Sequence, residues 1–138
     1  MNLEWSKRWF GHVNDGDLDS FLKAYAPDMK FTDVPMDVHA DNPEGVRAFL
    51  APFTDPAVGG EHKFYPDNYI GDATGGVMEW AWEGTMGEAD LLQLGRSVAG
   101  ETFKLRGASV LRFNADGQVT EHRDYWDLAT MLRSVGAM

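Results

Sequence analysis

Residues 113–127 read FNADGQVTEHRDYWD. Asn114-Ala115-Asp116-Gly117 lies between two segments of strand composition, and its closing Asp-Gly pair is the chemistry of a hairpin turn. Gln118 to Asp127 is then a strand. Successive side chains of a strand point to opposite faces, so His122, Asp124 and Trp126 share one. Asp127 has the other parity and reads as the N-cap of a short final helix from Leu128 to Val135, which stops at Gly136.

The chain before this hairpin is also strand-like. Thr102 to Phe113 reads as a long strand with Leu105, Gly107, Ser109 and Leu111 on one face. Val77 to Thr85 places Trp80 and Trp82 on one face and Glu79, Ala81 and Glu83 on the other. His62 to Ile70 is a further strand, and Pro66 marks it as an edge or bulged one. Residues 86–100 are Gly-rich and read as a long connection.

The first half is helical apart from one strand. Leu3, Trp5, Trp9, Phe10 and Val13 recur near helical spacing over residues 3–14. Asn14-Asp15-Gly16-Asp17 is a turn followed by an N-cap. A second helix is predicted over 17–26, with Leu18, Phe21, Leu22 and Tyr25 on one face and Ala26-Pro27-Asp28 as its stop. Lys30 to Val34 alternates polar and apolar and reads as a strand ended by Pro35. Pro35 to Asn42 reads as a loop. Asn42-Pro43-Glu44 opens a third helix with Val46, Phe49 and Leu50 inward. The order predicts an α+β fold: one domain over 1–138, with helices packed on one side of a curved, mostly antiparallel sheet.

Composition narrows the function. The 138 residues include twelve Lys+Arg, twenty-two Asp+Glu and no Cys, for a formal charge of −10. Without Cys there is no disulfide framework, thiolate nucleophile or Cys-based metal site. The negative charge argues against nucleic acid, which needs a basic stripe, and against anionic membrane surfaces. No apolar run is long enough to span a bilayer, and the N-terminus lacks the pattern of a signal peptide, so a cytoplasmic protein is expected. His12, His39 and His62 show no ligand spacing, so no metal and no cofactor is expected.

The chain resembles the nuclear transport factor 2-like superfamily, and within it the SnoaL-like polyketide cyclases, the ketosteroid isomerases and the limonene epoxide hydrolases. The matching stretches are Asn14-Asp15-Gly16-Asp17, Tyr25-Ala26-Pro27-Asp28, Phe31-Thr32-Asp33-Val34-Pro35, Glu44 to Phe49, and Phe113 to Val119 leading into Arg123-Asp124-Tyr125-Trp126-Asp127. The resemblance implies a cone-shaped barrel: a curved, mixed sheet wrapped around helices, with one deep apolar pocket. It also implies a homodimer through the outer sheet face, where Glu79 and Glu83 would meet Arg106 and Arg112.

Strand parity and the resemblance together select the site candidates. Asp33 matches the general-base Asp of the isomerases, and Asp124 the catalytic Asp of the epoxide hydrolases. His122 shares a face with Asp124, about 7 Å along the strand, and would share proton transfer. The isomerases' oxyanion-donating Tyr falls on Trp9 and their protonated Asp on Ser109. Trp9, Tyr25, Phe31, Trp80, Trp82, Ser109 and Trp126 are the expected substrate-binding wall. The middle strand, Met78 to Glu83, lacks the Arg that epoxide hydrolysis needs, so that activity is a minor alternative. The leading expectation is a cofactor-independent isomerase, cyclase or lyase. It would abstract a proton next to a carbonyl of a small hydrophobic molecule. The alternative is a non-catalytic binder of such molecules.

Overall fold

The computed structural model describes residues 1–138. Its elements are α1 (Leu3–Asn14), α2 (Leu18–Leu22), β1 (Tyr25–Asp33), β2 (Val38–Ala40), α3 (Pro43–Thr54), α4 (Pro56–Gly59), β3 (Gly60–Gly71), β4 (Gly75–Met86), β5 (Thr102–Phe113), β6 (Val119–Trp126) and α5 (Leu128–Ser134). The six strands form one sheet in the order β2-β1-β6-β5-β4-β3. The β1–β6 pair is parallel and the others are antiparallel. The fold is the expected α+β cone, open between its edge strands β2 and β3. No helix is long and apolar enough to cross a membrane.

Caps set the helix starts where the sequence places them. The side chains of Asn2, Asp17, Asn42 and Asp127 accept backbone N–H bonds at the starts of α1, α2, α3 and α5. Such caps supply acceptors that the first helical turn otherwise lacks.

Three local expectations are corrected. The second helix ends at Leu22, not 26, and Tyr25 already belongs to β1. Tyr25 pairs with Val119, and the register shifts between Tyr25 and Lys30. That irregularity accommodates Pro27, which cannot donate to a regular ladder, while Tyr25, Ala26 and Met29 are buried. The expected loop 35–42 contains β2, whose three residues fold back on β1. The third difference is α4, a single turn capped by Asp55.

Parity holds across the sheet. Trp80, Trp82, Leu105, Ser109, Leu111 and His122 all point into the core. Trp126, Gly107 and Trp80 lie in one row across β6, β5 and β4. A Cβ at Gly107 would collide with the Trp80 ring, so glycine is what lets that indole lie flat on β5. Trp9 stacks on Phe21 at 4.7 Å and Phe64 on Trp82 at 5.2 Å. Each such aromatic pair adds about 0.5–1.5 kcal/mol beyond area burial.

Candidate functional site

The cavity lies between the concave sheet face and the helices. Its seventeen lining residues include fourteen hydrophobic ones. Phe10 and Val13 come from α1, Phe21 from α2, and Phe49, Leu50 and Phe53 from α3. Trp80, Trp82 and Trp126 cover the sheet side, and Leu91 and Leu92 reach in from the β4–β5 connection. The volume is about 50 Å³. One water needs about 10–15 Å³ on this measure, so there is room for a small ligand or part of a larger one.

Register brings the polar groups together. Asp33 and Asp124 are direct partners in the parallel β1–β6 pair, and Ser109 is the partner of Asp124 on β5. One row across three strands therefore reads Asp33, Asp124, Ser109. Phe31 and His122 are partners in the next row. Asp33, Asp124 and His122 all line the cavity.

Asp33 is 4% exposed. Its Oδ1 accepts the Met36 backbone N–H at 3.1 Å and its Oδ2 the Trp126 indole N–H at 2.9 Å. Burial pushes its pKa up to about 6, and the charge of Asp124 adds to the rise. The Trp126 and Met36 donors and His122 hold it down, but by less. Loss of hydration disfavours the charged form, and two neighbouring carboxylates disfavour double ionisation.

Asp124 is the end of a buried chain. Ser109 donates its hydroxyl to Asp124 Oδ1 at 2.6 Å, and Trp80 donates its indole N–H to Ser109 at 3.0 Å. His122 Nε2 is 2.6 Å from the same Oδ1, and His122 Nδ1 is 2.7 Å from the Tyr25 hydroxyl. Both contacts are satisfied when the Tyr25 hydroxyl donates to Nδ1 and Nε2–H donates to Asp124. Burial and the nearby Asp124 push the Tyr25 pKa well up, so it stays a donor. All Asp124 bonds fall on Oδ1, which leaves Oδ2 without a protein partner. The two side chains lean together along β6, so the functional atoms are in contact and not about 7 Å apart.

Three expected wall residues do not line the cavity. Trp9 is buried in the core and spends its indole N–H on the Phe21 carbonyl at 2.9 Å. Tyr25 sits behind His122, and Ser109 beneath Asp124. Phe31, Trp80, Trp82 and Trp126 do line it. Leu91 and Leu92 were not foreseen in a Gly-rich connection; two adjacent leucines there were the available signal. His62 also went unforeseen. It donates Nε2–H to the Gly59 carbonyl at 2.8 Å and accepts the Trp82 indole at 3.1 Å. Burial lowers its pKa, so it stays neutral and fixes the Trp82 ring. No group of three or more His, Asp or Glu side chains is placed to hold a metal ion.

Residues 6–122 match the family model described as the SnoaL-like domain. No curated protein matches the chain significantly. Among solved structures, TsrD from Streptomyces laurentii is 17% identical, with a TM-score of 0.79 over 98% of this chain and 94% of that one. A protein from Jannaschia sp. CCS1, named for likeness to SnoaL-like polyketide cyclases, is 19% identical, with a TM-score of 0.78 over 99% and 92%. An NTF2-like protein of unknown function from Burkholderia pseudomallei is 22% identical, with a TM-score of 0.73 over 98% of each chain. At these identities the likeness shows the fold. The family-model match shows the family: the chain belongs to the SnoaL-like family.

The carboxylate pair has a consequence for stability. The folded-state pKa of Asp33, about 6, lies above the ordinary 3.8. The folded chain thus binds more protons between about pH 4 and 6, and this group's contribution improves as pH falls through that window. Ionised Asp33 costs about 3 kcal/mol at neutral pH. Asp33→Asn is expected to stabilise the protein at pH 7.5 by roughly 1–2 kcal/mol, less than the full cost because an amide nitrogen cannot accept a donor. Urea melts at pH 7.5 and pH 4 check this: the gain should vanish at the lower pH.

Proposed function

We propose that this SnoaL-like chain is a cofactor-independent acid/base enzyme of the isomerase, cyclase or lyase type. Its substrate would be a small hydrophobic carbonyl compound. The observation that carries the reading is the convergence of Asp33 and Asp124 on one aromatic cavity, with Asp33 pushed up to about 6. A general base works best with a pKa near the operating pH.

Asp33 takes the proton next to the carbonyl. The C–H electron pair forms the C=C bond of the enolate, the carbonyl π pair moves onto oxygen, and the negative charge passes from Asp33 to the enolate. The Trp126 indole N–H, until then held by Asp33, is the donor this reading assigns to that oxygen. Of the three groups expected to hold the enolate, Trp9 and Ser109 donate elsewhere and His122 is paired with Asp124. Asp124 keeps Asp33 basic and is itself fixed by Ser109 and the Tyr25–His122 pair. Returning the proton to another carbon gives isomerisation. Attack of the enolate on a second carbonyl gives cyclisation, and loss of a β-hydroxyl gives dehydration. No Arg lines the cavity, which disfavours epoxide hydrolysis.

The expected cytoplasmic homodimer belongs to the same proposal. Three of the four charges expected to meet across its interface find partners within the chain: Arg106 with Asp67, Glu83 with Lys104 and Glu79 with Asn68. Tyr65, Ile70, Val77 and Tyr125 are exposed, and their strand parity puts them on that outer face. Sedimentation equilibrium should find a dimer, and Ile70→Glu a monomer; a wild-type monomer at tens of micromolar rejects this part.

Deuterium exchange next to the carbonyl, followed by NMR across a panel of small hydrophobic ketones, tests the chemistry. Asp33→Asn should slow exchange by about 10²–10⁴-fold. The wild-type rate should fall as pH drops through about 6, where Asp33 is protonated. Asp124→Asn should move that limb to lower pH, because it removes the charge that raises Asp33. Equal rates in wild type and both variants reject the reading, and binding without exchange favours the non-catalytic alternative.

A further inference from the structure

The charge of the cavity does not match a purely hydrophobic guest. Its only titratable lining groups are Asp33, His122 and Asp124, and no Lys or Arg is among the seventeen residues. The faces contributed by α1, α2, α3 and the β4–β5 connection are Phe, Val and Leu. His122 is spoken for on both nitrogens, by Tyr25 and Asp124. The donors that hold Asp33 are a neutral amide and a neutral indole. Two carboxylates thus share an apolar chamber that no Lys or Arg enters, and its one imidazole, His122, is already paired with Asp124.

The walls have the complementary property. Phe and Trp rings present negative faces that attract a cation once it is desolvated. Phe31, Phe49, Trp82 and Trp126 line the cavity from four elements; Trp126 bonds Asp33 and packs on Trp82, and Phe31 packs on His122 and Phe49. Asp124 Oδ2, free of protein donors, is an acceptor for a charge-assisted hydrogen bond. An anionic guest meets two like charges, and the donors beside them, the Trp126 indole and the Met36 amide, are already held by Asp33.

We infer that the cavity selects a small protonated amine, with an ammonium N–H on Asp124 Oδ2 beside Asp33 and a compact alkyl body among the aromatic faces. The inference concerns which occupant enters and holds apart from the proton-transfer reading. If both are correct, the substrate is a carbonyl compound that also carries a basic nitrogen. The volume of about 50 Å³ suits a core of about five heavy atoms.

Three molecules of matched shape and different charge test it: tert-butylammonium, tert-butanol and trimethylacetate. Each is titrated into the full chain at pH 7.5 to roughly 10 mM, the range of weak affinities, with the Trp126 indole N–H followed by NMR. That signal separates cavity occupancy from loose cation binding to a surface of net charge −10. The cation should saturate the shift with a Kd at least about tenfold below that of the alcohol, a modest demand on cation–π and ion-pair contacts. The carboxylate should produce no shift. Asp124→Asn should reduce the preference for cation over alcohol to less than about threefold. Should that variant not fold, the wild type still decides. The Kd of the cation should rise as pH falls through about 6, where Asp33 gains a proton, while that of the alcohol stays constant. Absence of a saturable shift with the cation, equal or tighter binding of alcohol or carboxylate, or an unchanged preference in Asp124→Asn overturns the inference. Amine binding without deuterium exchange leaves this inference standing and removes the catalytic one; exchange of neutral ketones without amine binding does the reverse.

Discussion

The parallel pairing of β1 with β6 is the constraint on which the rest depends. It is the sole parallel contact in the sheet, and it joins the N-terminal part of the chain to the C-terminal strands. Its register sets Asp33 against Asp124 and Phe31 against His122. A slip of one residue would send either carboxylate to the outer face, because side chains alternate with a period of two. The core resists that slip: Phe31, His122 and Ser109 are all buried on the same side. Hydrophobic packing therefore sets the position of the polar groups.

The cost of that placement is concentrated on Asp33. Elsewhere the buried polar atoms of the site form closed pairs, as in Tyr25 with His122 and Trp80 with Ser109. Asp33 is held by two neutral donors and opposed by a second carboxylate. Structural need alone does not account for such an arrangement, since an amide or an apolar residue would fit a strand end at lower cost. A buried carboxylate whose pKa is displaced toward neutrality, in a cavity, marks a candidate functional site.

Much of this was legible in the sequence, for a physical reason. The alternation on β4, β5 and β6 is regular, so parity alone put Trp80, Trp82, Ser109, His122 and Trp126 on the inner side. The caps at Asp17, Asn42 and Asp127 were legible because their chemistry is local. Depth behind the wall was not. Ser109 has inward strand parity, and Trp9 and Tyr25 were read on the inward faces of helices, yet all three lie one layer back, since periodicity gives direction and says nothing of what stands in front. The start of β1 was hidden by Pro27, whose turn signal a bulge absorbs. Leu91 and Leu92 lie in a connection without periodicity, and only the folded chain shows that they close the cavity.

The fold holds Asp33 as a weakened acid against Asp124 inside an apolar cavity. A carbon-13 NMR titration of the Asp33 side-chain carboxyl, assigned with Asp33→Asn, measures this most directly. The expected midpoint is about 6, moving down when Asp124 is replaced by Asn. A midpoint at the ordinary value of 3.8, unmoved by that replacement, would contradict it.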